Sequence, residues 1–127
     1  MAEGLSSATA TSVLDAIGNA TSYSVATPYI QLHTAAPGAA GTTSVATETT
    51  RKLVSFGAAS AGAISNDTAI TWTGVAGSED FTHWTIWTAS SAGTFVCSGT
   101  VTANAVTAGD TFTIPIGDLD LSLTIAS

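Results

Sequence analysis

A period of two runs through most of this chain. From Tyr29 to Ile125, large apolar side chains recur at alternate positions, with Thr, Ser, His or Asp between them. Successive side chains of a strand point to opposite faces, so this rhythm gives a one-sided apolar surface only in β-structure. Ile30 and Leu32 share a face, opposite Tyr29, Gln31 and His33. A strand is predicted from Arg51 to Phe56, and Ile70 and Trp72 alternate with Thr71 and Thr73. In the most aromatic run, Phe81 to Thr88, Trp84 and Ile86 oppose His83, Thr85 and Trp87. Phe95 to Val101 follows, then Phe112, Ile114 and Ile116 around Pro115, then Leu119, Leu121, Leu123 and Ile125, all expected inward. Pro115 cannot donate to a ladder and marks an edge or a bulge. About seven short strands separated by turns predict an all-β antiparallel β-sandwich, jelly-roll or Ig-like, with one face of each sheet buried and one wet.

Composition agrees and narrows the classes. Thr occupies 23 positions, 45% of residues are apolar and 9% are charged. That is too apolar for disorder and too poor in Glu, Lys and Arg for a long solvated helix. The basic residues are two, Arg51 and Lys52, and the net charge is −7. Nucleic acid is therefore not an expected partner, because its affinity rests on clustered Lys and Arg, and anionic membranes are disfavoured for the same reason. The single cysteine, Cys97, forms no internal disulfide. No apolar run approaches the roughly 18 residues of a membrane span, and the N-terminus carries no basic, apolar leader, so synthesis in a cytoplasm is expected.

The first residues read differently. Ser6 or Ser7 caps a predicted helix from about Thr9 to Ile17, and Gly18-Asn19 stops it. Val13, Leu14 and Ile17 form an apolar stripe, and a helix this short must dock on something. Residues 1–20 are thus expected as an N-terminal arm and 21–127 as one sandwich domain. Leu5, Val13, Leu14 and Ile17 are its predicted partner-binding residues. Large side chains are few for the length, so association with copies, a trimer or higher, is expected to supply part of the stability.

Candidate chemistry is sparse. His33 and His83 lie on the polar sides of their strands, without metal-ligand spacing, and read as surface or loop-anchoring residues. Asp118 and Asp120 share a strand face, but calcium needs about six oxygens or more, so they read as a solvated face that discourages edge pairing. Glu79-Asp80 is expected to cap a turn. Cys97 has no cationic neighbour in sequence and reads as core. Gly57 to Gly62 lacks the Lys and the following helix of a phosphate loop, and no Gly-x-Ser-x-Gly is present. No catalytic residue, metal or cofactor is assigned, and no enzyme is expected. Trp84 and Trp87 face opposite ways, so one is core and Trp87 is the candidate exposed aromatic contact.

Several short motifs carry a resemblance. Leu32-His33-Thr34-Ala35-Ala36-Pro37-Gly38 is similar to a strand-and-turn in a family of small tailed-phage virion proteins, described as tail-fibre or minor tail proteins. The same family has a short preceding helix, here around Leu14 to Ile17, and an Arg-led strand ending Phe-Gly, here Arg51 to Gly57. It also has an Asn after a small-residue loop (Asn66), a Thr-His-Trp-x-x-Trp strand (Thr82 to Trp87) and a Gly-Asp before a strand (Gly109-Asp110). Thr50 departs from the pattern, where an aromatic often stands, and no shaft or second domain is seen. The resemblance implies a virion structural protein. The small, arm-bearing, Ala- and Thr-rich chain leads first to a capsid decoration (cement) protein docking on the head lattice. The alternative is a tail-fibre or tail-tip minor tail protein that binds a host receptor, a glycan stacking on Trp87.

Overall fold

The computed structural model describes residues 3–127, so the first two residues of the expected arm lie outside it. One helix, α1 (Ser7–Gly18), precedes eight strands among the described residues: β1 (Tyr29–His33), β2 (Lys52–Leu53), β3 (Ala63–Ser65), β4 (Ile70–Trp72), β5 (Glu79–Trp87), β6 (Phe95–Val106), β7 (Phe112–Ile114) and β8 (Asp120–Ser122). All pairings are antiparallel. A four-stranded sheet runs β2-β1-β5-β6, and two ribbons, β3-β8 and β4-β7, complete the sandwich.

The register explains the core. Ile30 sits opposite Ile86 and Leu32 opposite Trp84; Ile86 is opposite Cys97, and Trp84 is opposite Gly99. These residues form one face of the main sheet. Trp72, Phe112 and Ile114 of the β4-β7 ribbon meet it, with Val75 and Leu119. The Phe81 and Phe112 rings meet edge to face at 4.9 Å. Simple alternation puts Phe81 on the face of His83, but a bulge between Phe81 and His83 brings it round to the core side with Trp84.

Gly99 is required by a close approach. A Cβ there would stand 2.3 Å from Cζ2 of Trp84, and the indole Nε1–H donates to the Thr100 carbonyl at 3.2 Å. Gly99→Ala is expected to destabilise by about 2–3 kcal/mol through overpacking, read as a shifted denaturant midpoint with an unchanged slope.

Four sequence expectations are corrected. The main sheet does not have a wet face at its centre: Gln31, His33 and Thr85 are buried too. The 34–46 segment is tied there. Thr34 N–H donates to Ser44 O, Ala46 N–H donates to Leu32 O, and Pro37 and Gly41 are buried. A Cβ on Gly41, where φ is +70°, would lie 2.7 Å from the Phe95 ring, so the loop rests directly on that ring. The last strand is short. Leu119 points inward, but Leu123 and Ile125 are 51% and 57% exposed, because β8 ends at Ser122. The expected 51–56 strand contracts to Lys52–Leu53. Val54 N–H bonds Pro28 O, and Phe56 then pairs with Asn66 across the molecule. β3 was not expected, and β6 runs to Val106 rather than Val101.

Asn66 joins the parts. It is 1% exposed, and its carboxamide makes four bonds. Nδ2 donates to the carbonyls of Thr68 and Pro115, and Oδ1 accepts from the amides of Gly117 and Leu119. Every donor and acceptor of the side chain is used, so the turn from β7 to β8 is held against the strand entering β4. Asn66→Ala removes the side-chain partner of the Leu119 amide and the Thr68 carbonyl, while Gly117 N–H keeps the Asn66 carbonyl and Pro115 O keeps the Asp118 amide. It is expected to cost about 3–5 kcal/mol, measured by urea unfolding.

Candidate functional site

The arm is split in its role. Leu5 forms a bridge with Cys97 and packs on the core, while Ser6 N–H donates to Val96 O and Ser98 N–H to Gly4 O. These residues add to the outer edge of β6. Ser6 caps α1 as predicted, accepting from Thr9 N–H at 3.1 Å. The helix docks through buried Thr9, and Val13 is half-buried. Leu14 and Ile17 are 66% and 78% exposed. The stripe therefore does not dock on its own sandwich as a unit: Leu5 is spent internally, and Leu14 and Ile17 face outward. Beside α1, an apolar groove of about 300 Å³ is lined by Leu5, Val13, Tyr23, Ile64, Leu121 and Leu123, among others.

Trp87 is not exposed. It is 8% accessible, with Phe95 at 5.5 Å between ring centroids and the Arg51 guanidinium 4.4 Å above its own ring. Arg51 also donates to the carbonyls of Ala89 and Ala92, so it closes the β5-β6 turn over the indole. The expectation of a stacking surface fails because a cation covers the ring face that a sugar would need. One signal in sequence pointed to this: Arg51 is one of two basic residues in a chain that otherwise avoids them.

Trp87 belongs to a closed chain of hydrogen bonds on the buried second face. Its Nε1–H donates to Thr85 Oγ1 at 2.8 Å. The Thr85 hydroxyl donates to His33 Nε2 at 2.8 Å, and His33 Nδ1–H donates to Thr43 O at 2.9 Å. A carbonyl only accepts, so Nδ1 carries the proton and Nε2 is the acceptor of a neutral ring. His33 is the predicted loop anchor, wholly buried. His83 is its cross-strand neighbour, 3.6 Å from Glu3 and bonded to Thr82.

Burial lowers the His33 pKa from 6.5, the charge of His83 adds to the effect, and the Thr43 carbonyl opposes it. The unfolded chain thus takes up a proton that the folded one resists. This contribution to stability is complete above the unfolded value, near 6.5, and is lost as pH falls below it. Unfolding free energy is expected to drop between about pH 7 and about pH 5. His33→Gln should flatten that part of the profile while lowering stability at about pH 8.

The remaining reactive groups are structural or solvent-facing. Burial pushes the Cys97 thiol up to about 12, which removes thiolate chemistry at neutral pH. Glu79 does not cap a local turn: it opens β5 and accepts from the amides of Thr47 and Glu48. Glu48, buried, accepts from those of Thr50 and Ala76. Asp118 and Asp120 are exposed. Among the described residues no three His, Cys, Asp or Glu stand together as metal ligands, and no helix is long and apolar enough to cross a membrane.

Several of the motifs singled out in sequence thus serve to close the sandwich. Leu32 is core, His33 latches the loop, Pro37-Gly38 turns it, and Arg51 covers Trp87. Asn66 ties two strands, and Asp110 accepts from Thr107 N–H in the turn before β7. These features define a structural β-sandwich whose motif residues are spent on its own architecture. The model of the podophage GP4 fiber I protein gp80 family matches residues 4–122, and the chain belongs to that family. It is a phage structural, fibre-like protein and a component of the virion. None of the curated proteins compared with it matches.

Proposed function

We propose that the chain is a non-enzymatic subunit of a podophage tail fibre, seated among copies of itself and other tail proteins. The observation that carries this reading is the fibre-family match over residues 4–122, which spans α1 and all eight strands. It favours the tail over the head-decoration reading, which rested on size and composition alone. A fibre repeats its subunits about an axis, so a trimer or higher oligomer suits the role, and each contact can be modest when many act together. The surface available for such contacts includes Leu14 and Ile17 on α1, which the sandwich itself leaves in solvent. Exposed large apolar side chains grouped on one element are the usual mark of an association surface.

Immunogold labelling of intact virions is the direct test. Label on fibres is expected; label spread over the shell overturns the reading. In the same particles, a Leu14→Ser, Ile17→Ser double variant should keep the melting temperature of the isolated protein within about 2 °C, because both side chains are already wet. It should reduce incorporation into virions at least about tenfold, which corresponds to roughly 1.4 kcal/mol of lost contact.

A further inference from the structure

We infer that the N-terminal arm is exchanged between copies of this chain: Glu3 to Gly18 of one copy take the seat beside β6 of the next. The seat is specific. Ser6 N–H donates to Val96 O and Ser98 N–H to Gly4 O, each at 2.8 Å. Between these bonds Leu5 packs on the core opposite Cys97, and Glu3 reaches His83 at 3.6 Å on the neighbouring strand. Without this segment β6 ends the main sheet with an open edge, and the core has a gap where Leu5 packs. The contacts depend on which residues meet and not on which copy carries them, so an arm from a second chain makes the same set.

The connection between arm and sandwich favours the second chain. Residues 16–24 are exposed throughout, and 20–25 form neither helix nor strand. Val25, packed against the core, ends this hinge. Folding the arm back on its own sandwich places Ala20 at φ +52°, the left-handed region that is unfavourable for any residue with a Cβ. Gly18, which would take that conformation freely, lies inside the helix instead. An extended hinge releases the strain at Ala20, and strained hinges are where exchange of identical elements starts. The hinge holds its own helix by a 3.5 Å contact of Tyr23 OH with Thr9 Oγ1, at the outer limit of a hydrogen bond. Six extended residues, 19–24, span about 20 Å, enough to pass α1 to an adjoining sandwich.

Two further features fit exchange. The helix carries more apolar surface than one sandwich covers: Thr9 and Val13 dock, while Leu14 and Ile17 stay in solvent. A helix seated on a neighbour lies between two sandwiches, and the donor's own surface then meets those side chains. The arm also suits a chain of net charge −7. Its charged residues from 3 to 18 are Glu3 and Asp15, and Glu3 meets His83. The exchanged contact is thus built of backbone bonds and one leucine, which adds little like-charge repulsion between copies.

That the copies meet in a fibre rests on the reading above; the exchange itself does not. Leu5 and Cys97 form a non-hydrogen-bonded antiparallel pair, flanked by the bonds of Gly4 with Ser98 and of Ser6 with Val96. Such pairs bring Cα atoms to about 4.5 Å, within disulfide reach. Leu5→Cys therefore reports the seat through Cys97, the chain's single cysteine. Equal amounts of light and heavy-nitrogen chains are mixed in urea and refolded together at about 0.5 mM in a glutathione redox couple. The peptide joining positions 5 and 97 is then identified by mass. Exchange predicts that about half of it joins a light chain to a heavy one, with covalent oligomers on a non-reducing gel. A peptide joining only like chains, or no bond between 5 and 97, overturns the proposal.

A second variant keeps Leu5 in place. Proline cannot take a positive φ, and the amides that close the helix on Asp15 O are those of Asn19 and Thr21, so Ala20→Pro gives up neither bond. It forbids the folded-back arm and permits the extended one. An oligomer by light scattering that melts within about 3 °C of the parent is expected; a monomer overturns the exchange. Exchanged arms with label on the shell would sink the fibre reading alone, and label on fibres with like-chain bonds would sink the exchange alone.

Discussion

Burying both faces of the β1-β5 pair is the constraint on which the rest of this molecule depends. On one face the problem is ordinary: Ile30, Leu32, Trp84 and Ile86 are apolar and pack on the β4-β7 ribbon. The other face carries His33, Thr85 and Trp87, each with a polar atom that must find a partner away from water. The solution is a relay in which each hydrogen is used once, from indole to hydroxyl, hydroxyl to imidazole, and imidazole to a carbonyl of the covering loop. The 34–46 segment is held to the sheet by this relay and by its backbone pairing with β1. Loss of any member leaves a buried group unmatched, which costs more than the bond itself is worth.

The same economy recurs where strands are too short to hold themselves. β2, β3, β4, β7 and β8 have two or three residues each, and such pairs are weak alone. Asn66, Glu48 and Glu79 supply the missing connections by bonding to backbone amides and carbonyls of neighbouring segments. A chain with few charges thus places some of its acids inside the architecture. What remains on the outside includes apolar side chains on α1, at Leu14 and Ile17, and others at Leu53, Ile116, Leu123 and Ile125.

Much of the fold was legible because alternation survives wherever a strand is long enough to show it. β1 and β5 stood at their expected places, as did the start of β6 and the inward residues Ile70, Trp72, Phe112 and Ile114. The helix and its Ser6 cap followed from local chemistry. Where the reading failed, a long-range contact overrode a local pattern. Leu123 and Ile125 alternate as well as Leu119 and Leu121 do, but the ladder ends at Ser122 with one further bond, Leu123 N–H to Gly62 O, and both side chains stay about half exposed. Trp87 lies on the more polar side of its strand, and its cover comes from Arg51, 36 residues earlier.

The residue order by itself determined the class of structure, since period two, many Thr and few charges admit little but antiparallel sheets with one strongly apolar face. It also determined the charge balance, nine acidic residues against two basic ones, because that balance needs no fold to be read. The tertiary structure alone decided which surfaces stay open. Exposure is a property of what packs on a residue rather than of the residue: Leu5 and Leu14 belong to one apolar set, yet one bridges to Cys97 and the other faces solvent.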